Sequence, residues 1–286
     1  MVDSVKVISH YGEKDFLERL DAALAAAGLR DGALPPEALA PLDQFHTRGL
    51  AATEELATAV GLDAASKVLD IGSGLGGPSR YLASKYGCRV QGIDLSPAFV
   101  AAARHLARRS GMADRVSYDC ANALDLPYEA ESFDVAWTQH VAMNIADRDT
   151  LYREAARVLK KGGRFAIYDV VTGNGEPLHF PVPWSREPAT SFLMAPDAMR
   201  ASLEGAGFRI LDWTDRTEAA RAWFDERRRA AAAGAAAAAA ATAAAPSPLG
   251  LHLAMGPDFA VMAGNLGRNI AEGRAAVLQV VAERPR

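Results

Sequence analysis

At 286 residues, half of them hydrophobic, the chain is long enough for one large core with an added layer, although alanine supplies much of that half. A formal charge of -4 excludes the basic balance that nucleic acid or an anionic membrane surface would require. Two cysteines, Cys88 and Cys120, have no metal-type spacing and argue against a disulfide framework.

Residues 15–29 place Phe16, Leu17, Leu20, Leu24 and Ala27 at helical spacing, with Gly28 as a stop signal. A loop rich in Gly and Pro follows, and a second helix is expected over 51–60, closed by Gly61. From Lys67 strands and helices alternate, the pattern of a doubly wound sheet. Strands are expected at 67–71, 89–93, 115–119, 133–138 and 163–170, with helices at 97–110 and 151–159 between them. Residues 172–196 form an aromatic loop longer than a connection needs, carrying His179, Trp184 and Arg186. A helix at 196–206, a strand at 208–212, a long helix at 217–245, a helix near 258–271 and a last strand at 275–283 complete the chain. The fold class is α/β, with seven strands, mostly parallel. Residues 1–66 are expected to form a helical cap and 67–286 the core, with a helical, Ala-rich insertion at 217–271. Met1–Lys6 shows no apolar signal region and the apolar run 230–245 is alanine, so the expectation is a soluble cytoplasmic protein, monomer or homodimer.

The most informative stretch is Val68-Leu69-Asp70-Ile71-Gly72-Ser73-Gly74-Leu75-Gly76-Gly77. A strand-like run ends in a glycine-dense turn before a helix, so backbone N–H groups and a helix N-terminus meet where a ligand can approach. Gly72–Gly77 satisfies the G-x-G-x-x-G string of dinucleotide-binding units and also Asp-x-Gly-x-Gly-x-Gly read from Asp70. Both patterns want an acid at the end of the second strand to grip ribose hydroxyls, and Asp94 stands 22 positions after Gly72.

Downstream segments separate the two. Asn122-Ala123-Leu124-Asp125-Leu126-Pro127, Ser132-Phe133-Asp134-Val135-Ala136-Trp137 and Arg157-Val158-Leu159-Lys160-Lys161-Gly162-Gly163 follow in order. Together with the glycine loop this set resembles the class I S-adenosylmethionine-dependent methyltransferases, in the small-molecule branch that holds sarcosine/dimethylglycine, sugar-O- and tocopherol-type enzymes. The resemblance implies a Rossmann-like fold, S-adenosyl-L-methionine as cofactor and S-adenosyl-L-homocysteine as product. It puts Asp70, Gly72, Ser73, Gly74 and Gly76 around the methionine portion and Gln139 beneath its end. Asp94 would take the ribose hydroxyls, Leu95 would flank the adenine, and Asn122 with Ala123 would meet the adenine amino group. Many relatives carry Asp where this chain has Asn122; an amide oxygen can serve the same purpose.

Methyl transfer from a sulfonium is an in-line displacement that needs a base only if the nucleophile must lose a proton. Candidate catalytic residues are His140, Asn144 and His46, the last in the segment that relatives fold over the cofactor. Met143 lies in the same stretch after the fourth strand. The N-methyltransferases keep a His near the position of Asn144 and not at His140, which argues against a glycine-type acceptor. Tyr11, His46, Asp169 and Trp184 are candidate substrate contacts, and the partner is a small molecule, with no metal, nucleic acid or membrane expected. Two alternatives stay open: a catalytically silent adenosine-ligand-binding scaffold, and a dinucleotide-dependent oxidoreductase.

Overall fold

The computed structural model describes residues 15–240 and 248–286. Seven strands form one sheet: β1 Lys67–Ile71, β2 Arg89–Asp94, β3 Val116–Cys120, β4 Phe133–Gln139, β5 Leu159–Thr172, β6 Arg209–Asp215 and β7 Ala275–Glu283. Their order is β3-β2-β1-β4-β5-β7-β6. The first five pair in parallel, while β7 runs antiparallel to both β5 and β6. The near-continuous apolar runs of β1 and β4 are what a parallel strand covered on both faces requires, and both are buried along most of their length.

Helices α1 Phe16–Ala26, α2 Pro36–Asp43, α3 Leu50–Val60, α4 Gly77–Tyr86, α5 Pro97–Arg109, α6 Arg148–Val158 and α7 Pro196–Gly205 lie before or between the strands. Helices α8 Thr217–Ala240, α9 His252–Met255 and α10 Phe259–Ala271 form the insertion between β6 and β7. One face of the sheet packs on Leu56, Val60, Leu82 and Ala103; the other packs on Leu151, Val158, Met199 and Leu203. A third cluster joins α1 and α2 to Leu75, Phe99 and Leu106, so the N-terminal helices rest directly on the glycine loop and α5.

Three elements differ from the sequence reading, one of them the short α9, which falls where only a connection was expected. The Gly/Pro-rich stretch expected as loop contains α2, because Pro36 occupies the first helical turn, where its missing N–H costs nothing, and Leu39 and Leu42 are fully buried. The fifth strand begins at Leu159, paired with Phe133, and Gly162 at φ +79° lies inside it. The part of the expected long helix beyond Ala240 lies outside the described residues.

Candidate active site

Strand order reverses beside β1, between β2 and β4, and ligands of open parallel sheets bind at such a switch, beyond the strands' carboxyl ends. A cavity of about 260 Å³ opens there. Its floor comes from residues that follow β1 (Gly72, Gly74), end β2 (Asp94, Leu95), follow β3 (Asn122, Ala123) and end β4 (Gln139, His140).

The turn after β1 is fixed by its backbone. Gly72 and Ser73 N–H both donate to the Ile93 carbonyl at 2.8 Å, and Gly74 N–H donates to Asp94 Oδ2 at 2.9 Å. The other Asp94 oxygen accepts Ser96 N–H at 2.9 Å, and burial raises this carboxyl above its ordinary range. Two of these glycines have no substitute. Gly72 sits at φ +75°, and a Cβ there would lie 2.5 Å from Val141 Cγ2; Gly76 sits at φ +77°, and its Cβ would lie 2.3 Å from the Tyr118 hydroxyl oxygen. A buried ion pair ties this turn to the N-terminal layer: Arg80 holds Asp43 at 2.5 Å and donates to the Leu75 carbonyl at 2.7 Å.

Behind the β4 end lies a polar cluster built by three segments. Trp137 Nε1, which can only donate, points at Gln139 Oε1 at 3.0 Å, and Thr53 Oγ1 approaches the same oxygen at 3.2 Å. That fixes the amide orientation and leaves Gln139 Nε2 buried, without a partner among the described residues. His46 Nε2 lies 2.9 Å from the Gly49 carbonyl, so that nitrogen carries the proton. Burial lowers the His46 pKa to about 4, and the ring is neutral at physiological pH. His140 adopts φ +54°, a left-handed conformation that costs a non-glycine residue on the order of 1–2 kcal/mol. Its backbone N–H donates to the Tyr168 carbonyl at 2.8 Å, and its ring lies parallel to the Tyr168 ring at 5.6 Å. Thr47 Oγ1 lies 3.4 Å from His140 Nε2 and 3.2 Å from the Tyr168 hydroxyl. Burial first, and the neighbouring His46 second, hold the His140 pKa well below its usual value, so its ring too is neutral.

Gly72, Gly74, Asp94, Leu95, Asn122, Ala123, Gln139, His140, Asn144 and Trp184 line the cavity as expected of site residues. The Asn144 amide donates to the Val141 carbonyl at 3.2 Å, and Trp184 Nε1 donates to Ser191 Oγ at 2.9 Å. Asp70, Ser73 and Gly76 stand behind the wall: Asp70 is buried and accepts Ser79 Oγ at 2.6 Å. His46 is likewise behind the wall, its ring centre 6.2 Å from that of His140. Asp169 does not face the cleft. It is fully buried, accepts the Ala142 N–H at 3.2 Å and lies 3.8 Å from Arg148, which in turn donates to the Phe192 carbonyl at 2.9 Å. Tyr11 lies outside the described residues. Thr47, Thr53 and Tyr168 were missed in the sequence; the period of two along β5 puts Tyr168, not Asp169, on the face that carries Thr47 and His140, behind the cavity wall.

A methyltransferase domain family matches residues 69–167. A sarcosine/dimethylglycine N-methyltransferase of Halorhodospira halochloris is 30% identical over 189 residues, covering 66% of this chain and 67% of that protein. The methyltransferase GfsG of Streptomyces halstedii is 42% identical over 130 residues, and the chain spans about half of it, 47%. The chloroplastic tocopherol O-methyltransferase of Arabidopsis thaliana is 42% identical over 101 residues, 35% of this chain and 29% of that one. Among solved structures, the [4+2]-cyclase SpnF superimposes with a TM-score of 0.62 at 28% identity, over 82% of this chain and 81% of that one. A geranyl diphosphate C-methyltransferase of Streptomyces coelicolor A3(2) shares the fold, with a TM-score of 0.68 over 99% and 98% of the two chains at 16% identity. The chain belongs to the class I S-adenosylmethionine-dependent methyltransferases.

The residues present fit that cofactor. The carboxylate of Asp94 faces the cavity beside a glycine turn that a Cβ would fill, and the orphaned Gln139 amide is a donor in need of an acceptor such as a carboxylate.

Proposed function

We propose that the chain transfers a methyl group from S-adenosyl-L-methionine to a nucleophilic N, O or C atom of a small molecule, with His140 as general base. The observation that carries the reading is the joint presence, on one cavity wall, of the Asp94 cradle and a neutral imidazole. The bound cofactor supplies a methyl carbon on a sulfonium. Asp94 would accept the ribose hydroxyls through the lone pairs its two backbone partners leave free, and Asn122 and Ala123 would meet the adenine edge. Gln139 Nε2 would donate to the cofactor's carboxylate. His140 takes a proton from the acceptor as it attacks. Thr47 and Tyr168 act through His140: when Thr47 donates to Tyr168 it accepts the His140 Nε2–H, which leaves Nδ1 with its lone pair. His46 positions the turn at 46–49 on which Thr47 rides.

A second reading has an observation of its own: the SpnF neighbour, named a cyclase, is similar over most of its length. Calorimetric titration and product analysis separate the two. Asp94→Ala removes two charge-assisted hydrogen bonds, each on the order of 1.5–3 kcal/mol, so cofactor affinity is expected to fall about a hundred- to ten-thousand-fold with the fold intact by circular dichroism. Unchanged affinity overturns the assignment. Release of S-adenosyl-L-homocysteine with an acceptor supports methyl transfer; conversion of a substrate with no S-adenosyl-L-homocysteine formed supports the cyclase-like alternative.

A further inference from the structure

Beyond the cofactor cradle, the cavity wall has a chemistry that the family name does not specify. It is made by Phe45 from the α2–α3 connection, Met143 after β4, Trp184 from the loop after β5, and Leu251, Met255 and Phe259 from the insertion. All six are apolar. Among the described residues no Lys or Arg lines the cavity. The nearby guanidiniums are engaged elsewhere: Arg48 with Glu55, Arg148 with the Phe192 carbonyl, and Arg186 with Asp258.

The acids on the wall are equally committed. Asp94 takes two backbone N–H groups and faces the ribose position. Asp147 caps α6, one oxygen on Thr150 N–H at 3.0 Å and the other on the Thr150 hydroxyl at 2.7 Å. An acceptor bearing a carboxylate or phosphate would therefore give up hydration with no Lys or Arg among the described lining residues to meet it, and an ammonium would meet only Asp94, which faces the ribose, and Asp147, which is exposed and whose charge water already solvates. The polar side chains that remain on the wall near this half are His140 and Asn144, enough for one neutral polar group.

Resting on the methyl-transfer reading above, we infer that the acceptor is an uncharged, largely apolar molecule that presents a hydroxyl, and that the methyl goes to oxygen. The hydroxyl proton passes to the neutral His140 imidazole and from there to water. The new oxygen–carbon bond forms as the carbon–sulfur bond breaks, and that bond's electron pair stays on sulfur, which ends as an uncharged thioether. The apolar body of the acceptor lies against Trp184, Met255 and Phe259, and the driving force is burial of its apolar area.

The test uses the full chain with three matched probes, 4-octylphenol, 4-octylphenyl phosphate and 4-octylphenyltrimethylammonium, together with sarcosine. Binding is read by tryptophan fluorescence with S-adenosylhomocysteine present, and turnover, in separate runs started with S-adenosylmethionine, by S-adenosylhomocysteine formation. The phenol is expected to bind at least tenfold tighter than either charged probe and to be methylated on oxygen, with sarcosine inert. Equal or tighter binding of a charged probe, or turnover of sarcosine, overturns the inference. Met255→Lys sets an ammonium on the same wall. It should weaken the phenol at least tenfold and strengthen the phosphate, while cofactor affinity by calorimetry stays unchanged; a phosphate that gains nothing counts against the inference. Calorimetry keeps the two claims apart. A chain that binds no S-adenosylmethionine fails the methyl-transfer reading, whereas one that binds it and methylates charged acceptors fails the inference alone.

Discussion

Replacing Gly72 with alanine tests the cradle most directly. The new methyl carbon would stand 2.5 and 2.6 Å from the two γ-methyls of Val141, at a backbone φ of +75°. The left-handed conformation costs an alanine roughly 1–2 kcal/mol, and forcing Val141 aside adds about 1–3 kcal/mol of overpacking. The expected loss is therefore about 2–5 kcal/mol in urea unfolding followed by circular dichroism. Val141→Ala separates the two parts, since it removes both methyls and leaves its own Cβ 3.1 Å away, close enough to need only a small shift. In the double variant the packing part should return and the conformational part remain, giving a coupling of about 1–3 kcal/mol. Strict additivity, or a single Gly72→Ala loss below about 0.5 kcal/mol, would refute the contact and with it the claim that this turn is moulded against the segment carrying His140.

Three further outcomes are expected. Tyr168→Phe and Thr47→Val should each lower kcat about three- to thirtyfold with little change in the acceptor KM. In the parent enzyme kcat/KM should stay level from about pH 8 down to His140's ordinary 6.5, because burial and His46 keep the imidazole neutral well below that point; an acid limb centred near 7 would contradict a buried neutral base. Asp70→Asn addresses stability. Burial raises the folded carboxyl from 3.8 to about 7, so the folded state keeps a proton that the unfolded chain releases. That contribution is complete below the ordinary value and lost as pH rises through 7. The variant should therefore gain on the order of 2–4 kcal/mol at pH 8, shrinking steadily towards pH 4. Melting curves in which the gain grows in acid would refute the sign.

The parts of this molecule that sequence makes legible are those governed by local periodicity and short spacing. The β1–Gly72–α4 unit, Asp94 at the end of β2 and His140 after β4 follow from runs of ten residues or fewer plus strand order, whereas Asn122 and Gln139 were reached through the family resemblance. What escaped depends on which face a side chain takes or on distant partners. Asp169 and Tyr168 are neighbours in the chain, and only the pairing of Gln139 with Tyr168 settles which of them backs His140. Thr47 becomes meaningful through residues 93 and 121 positions away, which no local pattern encodes. Helix α2 was hidden because three prolines in eight positions read as a breaker, yet one of them opens the helix and another is tolerated in its second turn.

The antiparallel pairing of β6 with β7 has a consequence for how such a chain acquires new acceptors. These two strands lie side by side, so the segment joining them, roughly sixty residues with three helices among those described, leaves and re-enters the sheet at neighbouring points. Closing a loop whose ends are already held together depends only logarithmically on its length, about 0.6 kcal/mol for each doubling. Leu251, Met255 and Phe259 all come from that segment. This stretch of cavity wall can thus be lengthened, shortened or rewritten between two fixed anchor points while the glycine turn after β1, three strands from β7 and four from β6, keeps its shape. Catalysis and selectivity are carried by parts of the chain that can drift at different speeds.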